Sequence, residues 1–150
     1  MLLFAGCMKE YEYTSPIAGD TVLTRNIPSG NIPTPAWNVD TNYDFSNSMT
    51  AVVAVDLKQT YPDVTPADWQ VGGGDLMGVF DGIKCIGVTE PTDGLFFLYI
   101  TSPTSSNAPT RLQYYSARLH NIFQADTVLH FENGARLGSV TDPITPAFTE

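Results

Sequence analysis

Hydrophobic and polar positions in this chain fall into short runs separated by turn residues. Three apolar runs stand close together between Asp75 and Thr101: Leu76–Phe80, Ile83–Val88 and Leu95–Ile100. Asp81-Gly82 separates the first two, and Thr89-Glu90-Pro91-Thr92-Asp93-Gly94 the last two. Asp-Gly between β-rich runs predicts a two-residue hairpin whose turn residues both tolerate positive φ. Pro-Thr-Asp-Gly has the composition of a longer turn. The stretch reads as three consecutive antiparallel strands at the centre of the fold.

Upstream, Ser48–Asp56 is rich in β-branched residues and reads as a strand partly buried on both sides. The connection Leu57–Gly74 holds Pro62, Pro66, Trp69 and three consecutive glycines. Within it, Thr65-Pro66-Ala67-Asp68-Trp69 suits one helical turn, with Thr65 as N-cap and Pro66 at the first position. Downstream, Ser102–Pro109 reads as a polar loop, and Thr110–Ala117, Arg118–Phe123 and Val128–Glu132 as strands. Asn133-Gly134 closes the last of these. Gly138–Phe148 reads as a turn and an edge strand, where proline costs no ladder bond.

About seven or eight strands, a turn signal roughly every ten residues and no amphipathic helix of normal length predict an all-β fold. The expected architecture is a two-sheet antiparallel β-sandwich, immunoglobulin-like or jelly-roll-like, over residues 48–150. A small closed barrel is the structural alternative. Residues 14–47 contain Pro16, Pro28, Pro33 and Pro35 among many Asn, Thr and Ser. Proline at this density breaks helices. Residues 8–47 therefore read as a tether and loop, with Thr21–Arg25 as a short strand and Tyr43 and Phe45 docking where the body begins.

A chain of 150 residues suits one domain, burying roughly 65–70% of its unfolded surface. Seven Lys and Arg against 16 Asp and Glu give a net charge of -9. So few cations do not build a basic face, so nucleic acid is not expected as a partner. No apolar run reaches the roughly 18 residues of a membrane-spanning helix.

Met1-Leu2-Leu3-Phe4-Ala5-Gly6-Cys7 resembles the end of a bacterial lipoprotein signal peptide, in which two small residues precede the lipid-receiving cysteine. Residues 1–7 are thus expected to be a truncated signal with its true initiator upstream, and Cys7 the lipidation site. A lipid on Cys7 anchors the chain to a membrane without spanning it. Lys9-Glu10 followed by Glu12 resembles the surface-export tag of Bacteroides-type lipoproteins. The alternative is an apolar N-terminus with an incidental cysteine.

The strand Met49–Val55, the hairpin Gly78-Val79-Phe80-Asp81-Gly82-Ile83-Lys84-Cys85-Ile86-Gly87-Val88, the strand Gly94–Ile100 and the turn Gly138-Ser139-Val140-Thr141-Asp142-Pro143 together resemble a β-sandwich module. That module occurs in secreted and surface proteins of Bacteroides-type bacteria. The resemblance covers roughly Ser48 to Phe148. It implies a surface or secreted accessory domain with an interaction or scaffolding role, and no catalytic residues. Asp20-Thr21-Val22 and Asp126-Thr127-Val128 resemble the short O-glycosylation signal of such bacteria.

The candidate chemistry is sparse. Gly72-Gly73-Gly74-Asp75 lacks the Gly-Lys-Ser/Thr of a phosphate loop and the strand-turn-helix frame of a dinucleotide site. His120 and His130 are the two histidines, each placed in a strand without a partner at metal-ligand spacing. No Gly-x-Ser-x-Gly elbow is present. Cys85, in a strand beside Ile86, reads as a buried inert thiol. Among loop carboxylates, two of Asp68, Asp75, Asp81, Glu90 and Asp93 converging would make a glycosidase pair. The same loops offer oxygens for Ca²⁺, without EF-hand spacing; no other cofactor is implied.

Trp37, Trp69 and Tyr61 lie in expected loops, where exposed rings stack against sugars. The alternative is that Trp69 packs over a sheet edge and Trp37 docks the tether. Tyr114-Tyr115 place one ring on each face of a strand. The reading that results is a non-enzymatic, lipid-anchored module exposed on a bacterial outer membrane. It would serve adhesion, glycan capture or envelope assembly, with a glycan or surface protein as partner. A structural subunit of a surface assembly is the alternative, and a small glycoside hydrolase the third reading.

Overall fold

The computed structural model describes residues 30–40, 46–103 and 106–150. Among these residues, eight strands form two sheets: β1 Asn47–Ala54, β2 Leu76–Asp81, β3 Lys84–Thr89, β4 Leu95–Ser102, β5 Ser106–Ser116, β6 Asn121–Glu132, β7 Arg136–Leu137 and β8 Phe148–Thr149. The smaller sheet has the order β4-β1-β7 and the larger β3-β2-β5-β6-β8. This is the expected two-sheet all-β sandwich. Two pairings depart from the antiparallel expectation: β7 runs parallel to β1, with Thr50 opposite Arg136, and Val53 forms a parallel bridge with Ile144. The chain crosses between sheets at Asn133-Gly134, so it reaches β1 from the end that makes parallel pairing possible.

The core lies between the sheets. Met49, Ala51 and Val53 of β1 and Phe96, Leu98 and Ile100 of β4 face Met77, Val79, Leu112, Tyr114, Phe123 and Phe131 of the larger sheet. Period-2 alternation puts these side chains on one face of each strand. Within the core, Tyr114 meets Phe96 edge-on, with ring centroids 5.8 Å apart, and stacks on Phe123 at 6.0 Å.

Several boundaries differ from the sequence reading. The hairpin after β2 closes at Asp81↔Lys84, so its loop is Gly82-Ile83 rather than Asp81-Gly82. Gly82 has φ +63 and Ile83 is not left-handed. That places glycine first in the turn, as a type II′ hairpin requires. Ile83 is therefore a fully exposed tip residue, not the start of a buried strand. The polar stretch read as a loop to Pro109 belongs to β5 from Ser106 onward. Pro109 is tolerated there because the last rung to β2 is Phe80↔Arg111, leaving β5 without that neighbour. The segments read as two strands, 118–123 and 128–132, form one strand, β6. A register shift divides it, with Arg111 opposite Val128 but Gln113 opposite Gln124. His120 sits in the β5–β6 turn with φ +51, not in a strand. The expected helical turn is the 3₁₀ turn Pro66–Asp68, with Thr65 at the N-cap position but its hydroxyl donating to Asp68 rather than capping a backbone N–H.

Part of the expected tether is structured. Gly30 N–H donates to the Leu119 carbonyl (3.0 Å) and Ile32 N–H to that of His120 (2.9 Å). The Tyr115 hydroxyl donates to the Ile32 carbonyl (3.0 Å). Trp37 packs edge-on against Phe80, ring centroids 5.3 Å apart. Gly78 makes this possible, because a Cβ there would stand 3.0 Å from the Trp37 ring. Segment 30–40 thus covers the outer face of the larger sheet, and Tyr115 and Phe80 are buried beneath it. Both rings of Tyr114-Tyr115 are buried, on opposite faces. The expectations for Cys7, residues 1–7, Thr21–Arg25, Asp20-Thr21, Tyr43 and Phe45 lie outside the described residues.

Candidate functional site

The three aromatic residues singled out for ligand binding are not brought together. Trp37 is half-buried on the outer face of the larger sheet, against Phe80. Tyr61 and Trp69 belong to the core between the sheets, each 7% exposed. The β1–β2 connection carries them inward because Leu57, fully buried, pins its start. The Tyr61 ring meets Phe123 edge-on at 6.2 Å. Its hydroxyl donates to Glu150 Oε2, and Thr60 Oγ1 donates to the Phe148 carbonyl. Tyr61 thus anchors the C-terminal strand. Its hydroxyl pKa is pushed up, first by burial and then by the Glu150 carboxylate. Trp69 Nε1 is buried with no hydrogen-bond partner among the described residues. These rings serve packing.

The glycine run ends on a buried carboxylate. Asp75 is 1% exposed. Its Oδ2 accepts from the Tyr114 hydroxyl (2.6 Å) and from Gly72 N–H (3.1 Å). Its Oδ1 accepts from Ala117 N–H (2.8 Å). Gly74 adopts φ +90, which turns the chain so that it folds back on this carboxylate. The loop that resembles an anion cradle is therefore filled by its own side chain. Burial, and then Asp75, raise the Tyr114 hydroxyl pKa. A buried carboxylate with three donors is a structural tie, joining the end of the β1–β2 connection to the β5–β6 turn.

The remaining candidates do not converge on a site. Asp68 Oδ2 accepts from Thr65 Oγ1 (2.9 Å) at the 3₁₀ turn. Asp81, Glu90 and Asp93 lie exposed along the β2–β3–β4 hairpins. Among the described residues, no three His, Cys, Asp or Glu side chains converge as metal ligands. Cys85 is buried and free, its Sγ 3.4 Å from the Gly87 carbonyl, and desolvation raises its pKa. A thiol held protonated is a poor nucleophile. Asp126-Thr127 occupies the β6 register shift, where Asp126 Oδ1 takes the Ala147 N–H (3.1 Å) and the Thr127 hydroxyl (3.2 Å).

What the sequence reading missed is on the smaller sheet. Phe97 and Tyr99 of β4 point outward, 43% and 63% exposed. Across the sheet Phe97 stands opposite Val52, and Tyr99 opposite Thr50. Thr50 in turn stands opposite Arg136 of β7. A signal was present: Leu95–Ile100 is apolar at every position, whereas a one-face-buried antiparallel strand should alternate with polar residues. Read only as one of three central strands, the continuous run gives no outward face.

Comparison of the chain with protein-family models, curated proteins and solved structures found no match in any of the three.

Proposed function

We propose that this chain is a non-enzymatic interaction module, held by lipid at Cys7 on a bacterial outer-membrane surface, whose contact face is the outer side of the smaller sheet. One observation carries the reading of the face. Interior titratable groups are tied into structural bonds, while Phe97 and Tyr99 leave adjacent aromatic rings in solvent on one strand. Exposed aromatics in a row cost solubility and mark contact sites. The anchor rests on the resemblance of Leu3-Phe4-Ala5-Gly6-Cys7 to a lipoprotein signal, and the address on that of Lys9-Glu10 to an export tag. The likeness of Ser48–Phe148 to a Bacteroides-type surface module points the same way.

Photo-cross-linking on intact cells tests the face. A cross-linker replacing Phe97 or Tyr99 in the full chain should capture a partner, and one replacing Ile83, exposed at a hairpin tip, should not. No adduct from either β4 position, or equal capture from position 83, overturns the reading. For the anchor, Cys7→Ser should release the chain from membranes.

A further inference from the structure

We infer that the outer face of the smaller sheet binds a carbohydrate chain, with Phe97 and Tyr99 as stacking rings and Thr50 and Arg136 as its polar contacts. This rests on the reading of that sheet as a contact face and names its ligand class.

Backbone recognition is closed to a partner here. β1 is the central strand, and its side away from β4 is taken along its length by the two-residue β7 and its flanks, too short an edge for strand addition: Gly134 N–H donates to Ser48 O (2.7 Å), Thr50 N–H to Ala135 O (3.0 Å), and Ile144 N–H to Val52 O (2.8 Å). Ala54 N–H donates to Ile144 O (2.8 Å). The other edge of the sheet, β4, abuts β3 so closely that a Cβ on Gly87 would stand 2.9 Å from the Tyr99 carbonyl. Strand addition needs an open row of N–H and C=O groups, which this stretch of sheet does not offer. A ligand must therefore be read by side chains.

The side chains offered are of two kinds in register. Phe97 and Tyr99 stand about 6.6 Å apart along one strand, on one face. The Tyr99 row continues into the Thr50 hydroxyl and the Arg136 guanidinium, both on exposed residues. A guanidinium donates and cannot accept, so it selects oxygen-rich ligands. A sugar ring presents an apolar C–H face to an aromatic ring and oxygens around its rim, which is the complement of this row. The outward positions on β1, β4 and β7 include Arg136 and no carboxylate, although the chain carries 16 acidic residues against 7 basic. Neutral sugars and uronates both fit that charge.

A second copy of the chain fits poorly. Each copy carries a charge of -9. Like net charges on two copies oppose their meeting.

The test is affinity electrophoresis of the full chain through gels containing neutral or uronate-bearing polysaccharides. Retardation is expected in at least one gel. It should fall at least tenfold in affinity for Phe97→Ala and Tyr99→Ala and stay unchanged for Ile83→Ala, with urea midpoints of the variants within error of the parent. Arg136→Gln should weaken binding in every gel that retards the parent, and unchanged binding there would overturn its place as a polar contact. Retardation that survives Tyr99→Ala and Phe97→Ala overturns the proposal. A panel without retardation overturns it too. If cross-linkers on β4 then capture protein, the contact face stands and its ligand class is wrong; if they capture nothing, both fall.

Discussion

Asp75 shows how much one residue can hold. Removing its carboxylate leaves Gly72 N–H, Ala117 N–H and the Tyr114 hydroxyl without their acceptor in a buried place. Each orphaned donor costs about 1–3 kcal/mol. Asp75→Ala is expected to lower stability by about 3 kcal/mol or more, and Tyr114→Phe, which removes one donor and keeps the ring, by about 1–2 kcal/mol. Urea unfolding midpoints of the two variants check the order; equal losses would show that the backbone donors find other partners. The composition around Asp75 was legible as a loop needing free backbone angles. The tie itself was not, because two of its donors come from residues 114 and 117, brought near only by the sheet.

At the scale of elements, hairpins and edges behave as their local chemistry dictates once their register is known. Ile83 is fully exposed at the β2–β3 tip, so Ile83→Thr should change stability by less than about 0.5 kcal/mol. Gly82→Val, by contrast, forces a β-branched residue to φ +63 and should cost about 1–2 kcal/mol. Thermal unfolding of the pair separates an exposed tip from a constrained one. Segment 30–40 is an element of another sort, held by two backbone bonds, the Tyr115 hydroxyl and an aromatic contact. Trp37→Ala should cost about 2 kcal/mol and speed hydrogen exchange at the Ile32 amide, which donates to His120. Unchanged protection at Ile32 would mean that the backbone bonds hold the segment without the ring. A proline-rich stretch reads as a tether because it lacks periodicity. That it lies on a sheet depends on Gly78 leaving room and Phe80 offering a ring.

For the whole molecule, Tyr61 and Tyr114 set a pH limit. Both hydroxyls have folded pKa values raised above the ordinary tyrosine value of 10.0, chiefly by burial. Below pH 10 both are protonated in the folded and unfolded chain, and their bonds to Glu150 and Asp75 contribute fully. Above it the unfolded chain releases protons that the folded chain keeps, so stability falls as pH rises. Midpoints measured from pH 8 to 11 should decline beyond about pH 10, and less steeply in Tyr114→Phe.

Alternation and turn composition suffice for the all-β class, for most of the strands and for several of the turns, because those signals act between residues a few positions apart. Turn residues place Asn133-Gly134 and Gly138–Pro143 correctly for the same reason. The parallel β1–β7 pairing, the single long β6 and the inward turn of Tyr61 and Trp69 depend on contacts between distant segments. So does the outward placing of Phe97 and Tyr99. An unbroken apolar run does not say which of its two faces is buried; only the opposing sheet, present on one side of β4 and absent on the other, decides that.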